Sequence, residues 1–184
     1  LPEGGALVGI VATLRSWKGH RFLVEAMAGL PESAGLVIVG DGPQRATLEA
    51  LVDQYGLRAR TRFAGNQHDV VPWLQALDVF VLPSYANEGV PQALIQAMLT
   101  ALPCVTTAAG SISELAIDGE TALVVPPQEV APLRAAILRL LMSPETQTRL
   151  GEAARRHCVA GFSYEAMLDK MERVYREASG AAPG

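Results

Sequence analysis

The sequence predicts an α/β domain built on a doubly wound parallel sheet. Three observations carry that reading. Short continuous apolar runs, such as ALVGIVA and GLVIVG, have the length and composition of strands buried on both faces. Amphipathic helical patterns separate these runs, so strand and helix alternate along the chain. Aromatic residues are sparse at 5% while apolar residues make up 49%, a balance rich in Ala, Val, Leu and Gly that suits buried parallel strands. With 184 residues the chain is one domain, or one plus an appendage. A chain of that size buries roughly 70% of its unfolded surface and needs no staples.

The elements follow in order. Residues 6–12 form the first strand. The polar loop TLRSWKGH leads into a helix with Phe22, Leu23, Ala26 and Met27 on one face. Residues 35–40 form the second strand, which DGP breaks, with Pro43 at a favoured first-turn position of the next helix. In that helix Leu48, Leu51, Val52 and Tyr55 recur at spacings of 3, 4 and 7. TRFAG is a short third strand. A short helix over 70–76 leads into DVFVLPS, a fourth strand ending at Pro83. EGVPQALIQAM, residues 88–98, turns from loop into helix. PCVTT is the fifth strand and TALVVPP the sixth. Helices over 130–142, 144–160 and 164–177 close the chain, with Gly151 and Gly161 interrupting or bounding the last two. The terminal SGAAPG is expected to fray, leaving residues 1–178 as the domain and 179–184 as a disordered tail.

Composition narrows the function. A net charge of −4 without a long basic run argues against a nucleic-acid partner. The two cysteines, Cys104 and Cys158, have no metal-ligand spacing. Cys104 sits in the apolar run LPCVTT and reads as a buried reduced thiol, which fits a cytoplasmic compartment. No signal peptide and no apolar stretch of about 18 residues is present, so no membrane span is expected. The chain starts at Leu1, and LPEGG resembles a linker, as in a piece of a longer protein.

In doubly wound sheets ligands bind beyond the carboxyl ends of the strands, at the point where strand order reverses. The loops directly after strands are therefore the candidates. Thr13, Arg15 and Lys18 follow the first strand, with Gly19 at the helix start. An Arg fork and a Lys point charge could grip a phosphate there. Gly40-Asp41-Gly42-Pro43 is a tight turn that suits close approach of a nucleotide and is equally a plain structural turn. It lacks the third glycine of a dinucleotide fingerprint, and no phosphate-loop pattern occurs.

Glu88 to Gln92 opens a helix whose first amides, near Gly89 and Val90, can point at an anion, with Pro91 at the first turn. Glu88 would repel a phosphate, so its natural partner is a hydroxyl, unless it caps the helix from its own loop. Donors for phosphate beside an acceptor for hydroxyls match a nucleotide sugar. Gln92 and Gln96 lie one turn apart on the same helix. Ser111 and Glu114 read as a capping box. The histidines lack ligand spacing: His20 and His68 read as loop residues, His157 as a helix surface residue. No pair of aspartates separated by one residue occurs, so no metal site is expected.

These motifs in this order resemble the C-terminal, donor-binding domain of retaining glycosyltransferases of the GT-B fold, the large group-one family. The resemblance runs through KGH, VGDGP, FAG, DVFVLPS, EGVPQALIQAM, LPCVTT, ELAIDGETALVVPP and the terminal FSYEAM, and covers nearly the whole chain. It implies a two-domain enzyme of which this chain holds the Rossmann-like, donor-binding half. The acceptor, a glycan or glycolipid, would bind the absent N-terminal domain. Lys18 would contact the diphosphate, Glu88 would be the catalytic-site acid on the sugar hydroxyls, and Gly89, Val90 and Pro91 would lie along sugar and phosphates. The backbone from Ala64 through Gly65 to Asn66 would face the base. Gly42, Gln92, Thr13 and Arg15 complete the donor set.

Thr13 stands where the family often has Arg, with Arg15 two residues on. Gln96 stands where it usually has a second Glu that binds ribose, so ribose binding should be weaker. The resemblance implies no cofactor, a nucleotide diphosphate sugar as substrate with a UDP-sugar favoured, and a place in bacterial surface-polysaccharide or lipopolysaccharide assembly. It also implies a cytoplasmic location, the cytoplasmic face of the inner membrane included, where the whole enzyme would associate peripherally. Two other classes fit the same residues: a non-catalytic interaction domain with a Rossmann-like core, and a nucleotide-sugar epimerase of the same fold.

Overall fold

The computed structural model describes residues 1–2 and 4–179. Six strands, β1 (Leu7–Val11), β2 (Gly35–Val39), β3 (Thr61–Gly65), β4 (Val79–Leu82), β5 (Cys104–Thr106) and β6 (Leu123–Val124), form one sheet in the order β3-β2-β1-β4-β5-β6. Every pairing is parallel. The chain builds outward from β1 to β3, returns to the centre at β4, and builds outward again to β6. Strand order therefore reverses between β1 and β4, where Val8 faces Val79. That reversal lays the loops after β1 and β4 side by side at the carboxyl edge.

The helices are α1 (His20–Met27), α2 (Arg45–Gln54), α3 (Val71–Gln75), α4 (Gln92–Leu99), α5 (Val130–Leu141), α6 (Pro144–Phe162) and α7 (Tyr164–Ser179). α1 packs against α2 and α5, whereas α4 packs against α3 and α6. All five residues of β2 and all four of β4 are buried, as continuous apolar runs in a two-sided sheet require. Side chains such as Ile10, Ile38, Leu36 and Phe80 are fully enclosed, each contributing on the order of 1.5–3 kcal/mol through burial. α7 buries none of its residues and touches chiefly α6. No helix among the described residues is long and apolar enough to cross a membrane.

Each expected strand and helix is present, and the differences lie at their ends. α2 begins at Arg45, so Pro43 sits in the preceding turn and not in the helix. Pro91 is the N-cap of α4 in extended conformation, one position before the first turn. β6 shrinks to two residues at the sheet edge. Ser111 and Glu114 form no capping box. They lie inside a 3-10 turn, Gly110–Glu114, capped by no side chain.

Gly151 interrupts no helix, because α6 runs through it, whereas Gly161 lies one residue before the end of α6, at the boundary the sequence suggested. At Gly151 the reason is packing: a Cβ there would meet the backbone carbonyl of Ala101, so the glycine lets α6 lie against that turn. The expected tail lies outside the described residues apart from Ser179, the last residue of α7.

Candidate functional site

Two clasps join the loops at the strand reversal. In the first, the Tyr85 amide after β4 donates to the Trp17 carbonyl after β1 at 2.9 Å. Gly19, the N-cap of α1, rests against the Pro83 carbonyl with φ of 75°. A Cβ would clash there, and an L side chain rarely adopts that φ. In the second, the 3-10 turn after β5 holds the Glu88 carbonyl, with the Ser111 amide donating to it at 3.3 Å and Gly110 packed on it at φ 56°. Asn87, also at positive φ (56°), turns the chain into Glu88, a conformation Asn tolerates better than most residues.

These clasps bring Lys18 and Glu88 together. The Lys18 ammonium donates to both carboxylate oxygens of Glu88, at 2.7 and 2.9 Å. The Glu88 side chain is only 4% exposed and that of Lys18 19%. Glu88 does not cap α4: its carboxylate is taken by Lys18, and no side chain caps that helix. The first amides of α4 have no acceptor within the helix, so its N-terminus presents free donors close to this pair in sequence. Gly89 is exposed, Val90 half-buried, Pro91 buried, Gln92 exposed and Gln96 half-buried one turn further on. One edge of the reversal point thus offers a cation, a carboxylate and backbone donors.

The remaining candidates divide. Thr13 is exposed, and its carbonyl accepts from the Arg15 amide at 2.8 Å. The Arg15 carbonyl accepts from the Lys18 amide at 3.2 Å, and the Arg15 guanidinium lies 5.7 Å from the Trp17 ring centroid. Gly42 serves the turn, its amide bonded to the Asp41 carboxylate at 2.7 Å and its backbone close against Leu14. The Leu14 amide in turn donates to the Asp41 carbonyl at 3.0 Å, stitching the loops after β1 and β2. Gly65 ends β3, its carbonyl accepting from the Gly40 amide, and Asn66 follows exposed.

His20 corrects the expectation of a loop residue. It opens α1, is 2% exposed, and neither ring nitrogen has a partner among the described residues. Burial, with the positive charge of Lys18 second, lowers its pKa to about 4, so the ring is neutral near pH 7. The sequence held no periodicity signal for it, since the helical stripe becomes visible only from Phe22 onward. Ser84, two residues beyond β4, is also fully buried, its hydroxyl without a partner among the described residues, while its carbonyl accepts from the Thr107 hydroxyl. Its place directly after the DVFVLP run was the available signal. His68 is an exposed loop residue, and His157 sits on α6 with Nε2 3.0 Å from the Glu114 carbonyl.

Residues 1–157 match the family described as "Glycosyl transferases group 1". The chain is 34% identical over 173 residues to the alpha-D-kanosaminyltransferase of Streptomyces kanamyceticus, covering 91% of this chain and 44% of that protein. It is 34% identical over 152 residues to the lipopolysaccharide core biosynthesis glycosyltransferase LpsE of Rhizobium meliloti (strain 1021), covering 83% of this chain and 44% of that protein. Its fold matches that of Anabaena Alr3699/HepE, crystallised in complex with UDP-glucose, at a TM-score of 0.86 and 24% identity, over 96% of this chain and 49% of that one. The chain thus spans about half the length of the proteins it matches. On the family match and these identities, the chain belongs to the group 1 glycosyl transferases.

Proposed function

We propose that this chain is the donor-binding half of a retaining glycosyltransferase that takes a nucleotide diphosphate sugar, a UDP-sugar favoured. The observation that carries the reading is the Lys18–Glu88 pair beside the open N-terminus of α4. A diphosphate supplies the negative charge that Lys18 and the α4 amides accept. A sugar supplies hydroxyls that the Glu88 carboxylate can accept from. A donor therefore replaces one internal contact with two external ones, each matched in charge. When the sugar–phosphate bond breaks, charge grows on the departing diphosphate, and the same cation and amides are aimed where it grows.

The relatives' names support the class: a kanosaminyltransferase and a lipopolysaccharide core glycosyltransferase both move sugars, and the structural neighbour was crystallised with UDP-glucose. We infer that the acceptor, a glycan or glycolipid, binds a second domain, and that the whole enzyme works in bacterial polysaccharide or lipopolysaccharide assembly at the cytoplasmic face of the membrane. Base contact falls to the residues ending β3, Gly65 and Asn66. Calorimetry tests the core of this: UDP, GDP and ADP are titrated into the chain at millimolar ligand. Saturable binding of one of them, lost in Lys18→Ala for the diphosphate but not for the bare nucleoside, is expected. No heat with any of the three would overturn the reading.

A further inference from the structure

A second cavity, of about 330 Å³, lies where the N-terminal turns of α1 and α2 meet the loop after β1. Neither Lys18 nor Glu88 lines it, so it is separate from the ion pair. Its polar wall comes from Arg15, Arg21, Gln44, Thr47 and Tyr85, its apolar wall from α2. None of its lining side chains is acidic. Arg15 has no carboxylate partner among the described residues, and Arg21 shares its charge with Glu25 at 3.2 Å. Two guanidinium groups and several neutral donors therefore surround a space with no anion of its own.

His20 belongs to the same wall. It is 2% exposed, and both its ring nitrogens are buried without a partner among the described residues. Native proteins satisfy such groups with protein, ordered water or ligand. Among the described residues no side chain does so, and the imidazole stands directly behind the cavity wall, where it senses what binds there. A neutral imidazole offers one donor and one acceptor and so can carry a hydrogen bond onward from a bound group or its water. Arginine's planar fork matches the oxygens of a phosphate, and hydroxyls such as those of Thr47 and Tyr85 add neutral donors.

We propose that this cavity is a second ligand site, taking the phosphate group of a small molecule, with Arg15 as its anchoring cation and His20 closing its inner wall. The site does not draw on the Lys18–Glu88 pair that carries the donor reading, and it assigns Arg15, expected in the donor set, to this cavity instead.

The test uses the whole chain with ¹⁵N-labelled histidine, titrated with inorganic phosphate at neutral pH, with and without saturating UDP. A saturable millimolar shift of the His20 ring resonances, unchanged by UDP and weakened at least ~tenfold in both Arg15→Ala and Thr47→Val, is expected. Both positions are exposed, so the variants should fold. A shift that does not saturate, that UDP displaces, or that persists at full affinity in either variant overturns the proposal. Failure of UDP to bind in the absence of phosphate would sink the donor reading and leave this one standing.

Discussion

The Lys18 ammonium meets both carboxylate oxygens of Glu88, at 2.7 and 2.9 Å, across 70 positions of sequence. The pair lies at the point where strand order reverses, and it is nearly closed to water on the Glu88 side. A partner lost from such a pair leaves an uncompensated charge in a poorly solvated place.

Lys18→Met is therefore expected to cost about 3 kcal/mol of stability, the low end for a buried pair because Lys18 keeps some solvent contact. The double variant Lys18→Met/Glu88→Leu should recover most of that loss. Urea unfolding of the single and double variants decides the matter: equal losses in both would mean that an unpaired Glu88 carboxylate carries no penalty at this place.

Gly110 bears on the same carboxylate through the backbone. It sits at φ 56° with its missing Cβ against the Glu88 carbonyl. Gly110→Ala should cost roughly 1–2 kcal/mol from conformation alone and should also push Glu88 out of place, weakening UDP binding. Gly56→Ala is the control, since Gly56 has φ 67° but open space around its Cβ. It should cost stability without touching UDP affinity. Identical binding losses in the two variants would contradict this account.

His20 makes stability depend on pH. Its folded-state pKa, about 4, lies below the ordinary imidazole value of 6.5. The unfolded chain takes up this proton as pH falls below about 6.5, while the folded chain refuses it until about 4. Stability should therefore fall as pH drops through that window, by about 3 kcal/mol if the whole shift is realised, and level off below it for this group. Urea midpoints measured from pH 7 to pH 4 check it. His20→Gln should flatten this part of the profile, and an unchanged slope in that variant would assign the effect elsewhere.

Gln96 sits half-buried on α4, one turn beyond Gln92. If it accepts from the ribose hydroxyls of a donor, Gln96→Glu restores a charged acceptor, and charge-assisted hydrogen bonds are roughly twice as strong as neutral ones. UDP should then bind severalfold more tightly by calorimetry, with pyrophosphate unaffected. A weaker grip on pyrophosphate would place the new negative charge against the diphosphate and away from the ribose.

Both thiols should be inert in the folded protein. Burial raises the pKa of Cys104 far above its ordinary value and that of Cys158 to about 11. Almost no thiolate forms near pH 7, and the thiolate is the nucleophile. Labelling with a thiol-specific disulfide reagent should wait for global unfolding. Rapid labelling of either cysteine in native buffer would contradict the burial.

The fold was legible because burial on both faces writes itself into continuous apolar runs. GLVIV and VFVL stand out without knowledge of any partner strand, and the helices between them carry one-sided stripes. Lys18 and Glu88 were legible as candidates because strand-end loops are where this architecture binds ligands, and Gln96 because it is a polar residue on a largely apolar helix entered from such a loop. The capping box at Ser111 misled because a local pattern competes with tertiary demand: that turn is shaped to hold the Glu88 carbonyl, and it winds as a 3-10 turn to do so. Gly151 misled for a like reason, since a glycine needed for close packing looks the same in sequence as one that ends a helix.

By itself the sequence determined the alternating parallel architecture, the order of its elements and the loops that could hold chemistry. Those follow from the side-chain period of each segment, which is a local property of the chain. Only the tertiary structure decided that Lys18 pairs with Glu88, that Arg15 turns to another cavity, and that His20 is buried and unpartnered. Each depends on which strand neighbours which, and on backbone contacts such as that between Tyr85 and Trp17. Such contacts join residues tens of positions apart, where no local pattern reaches.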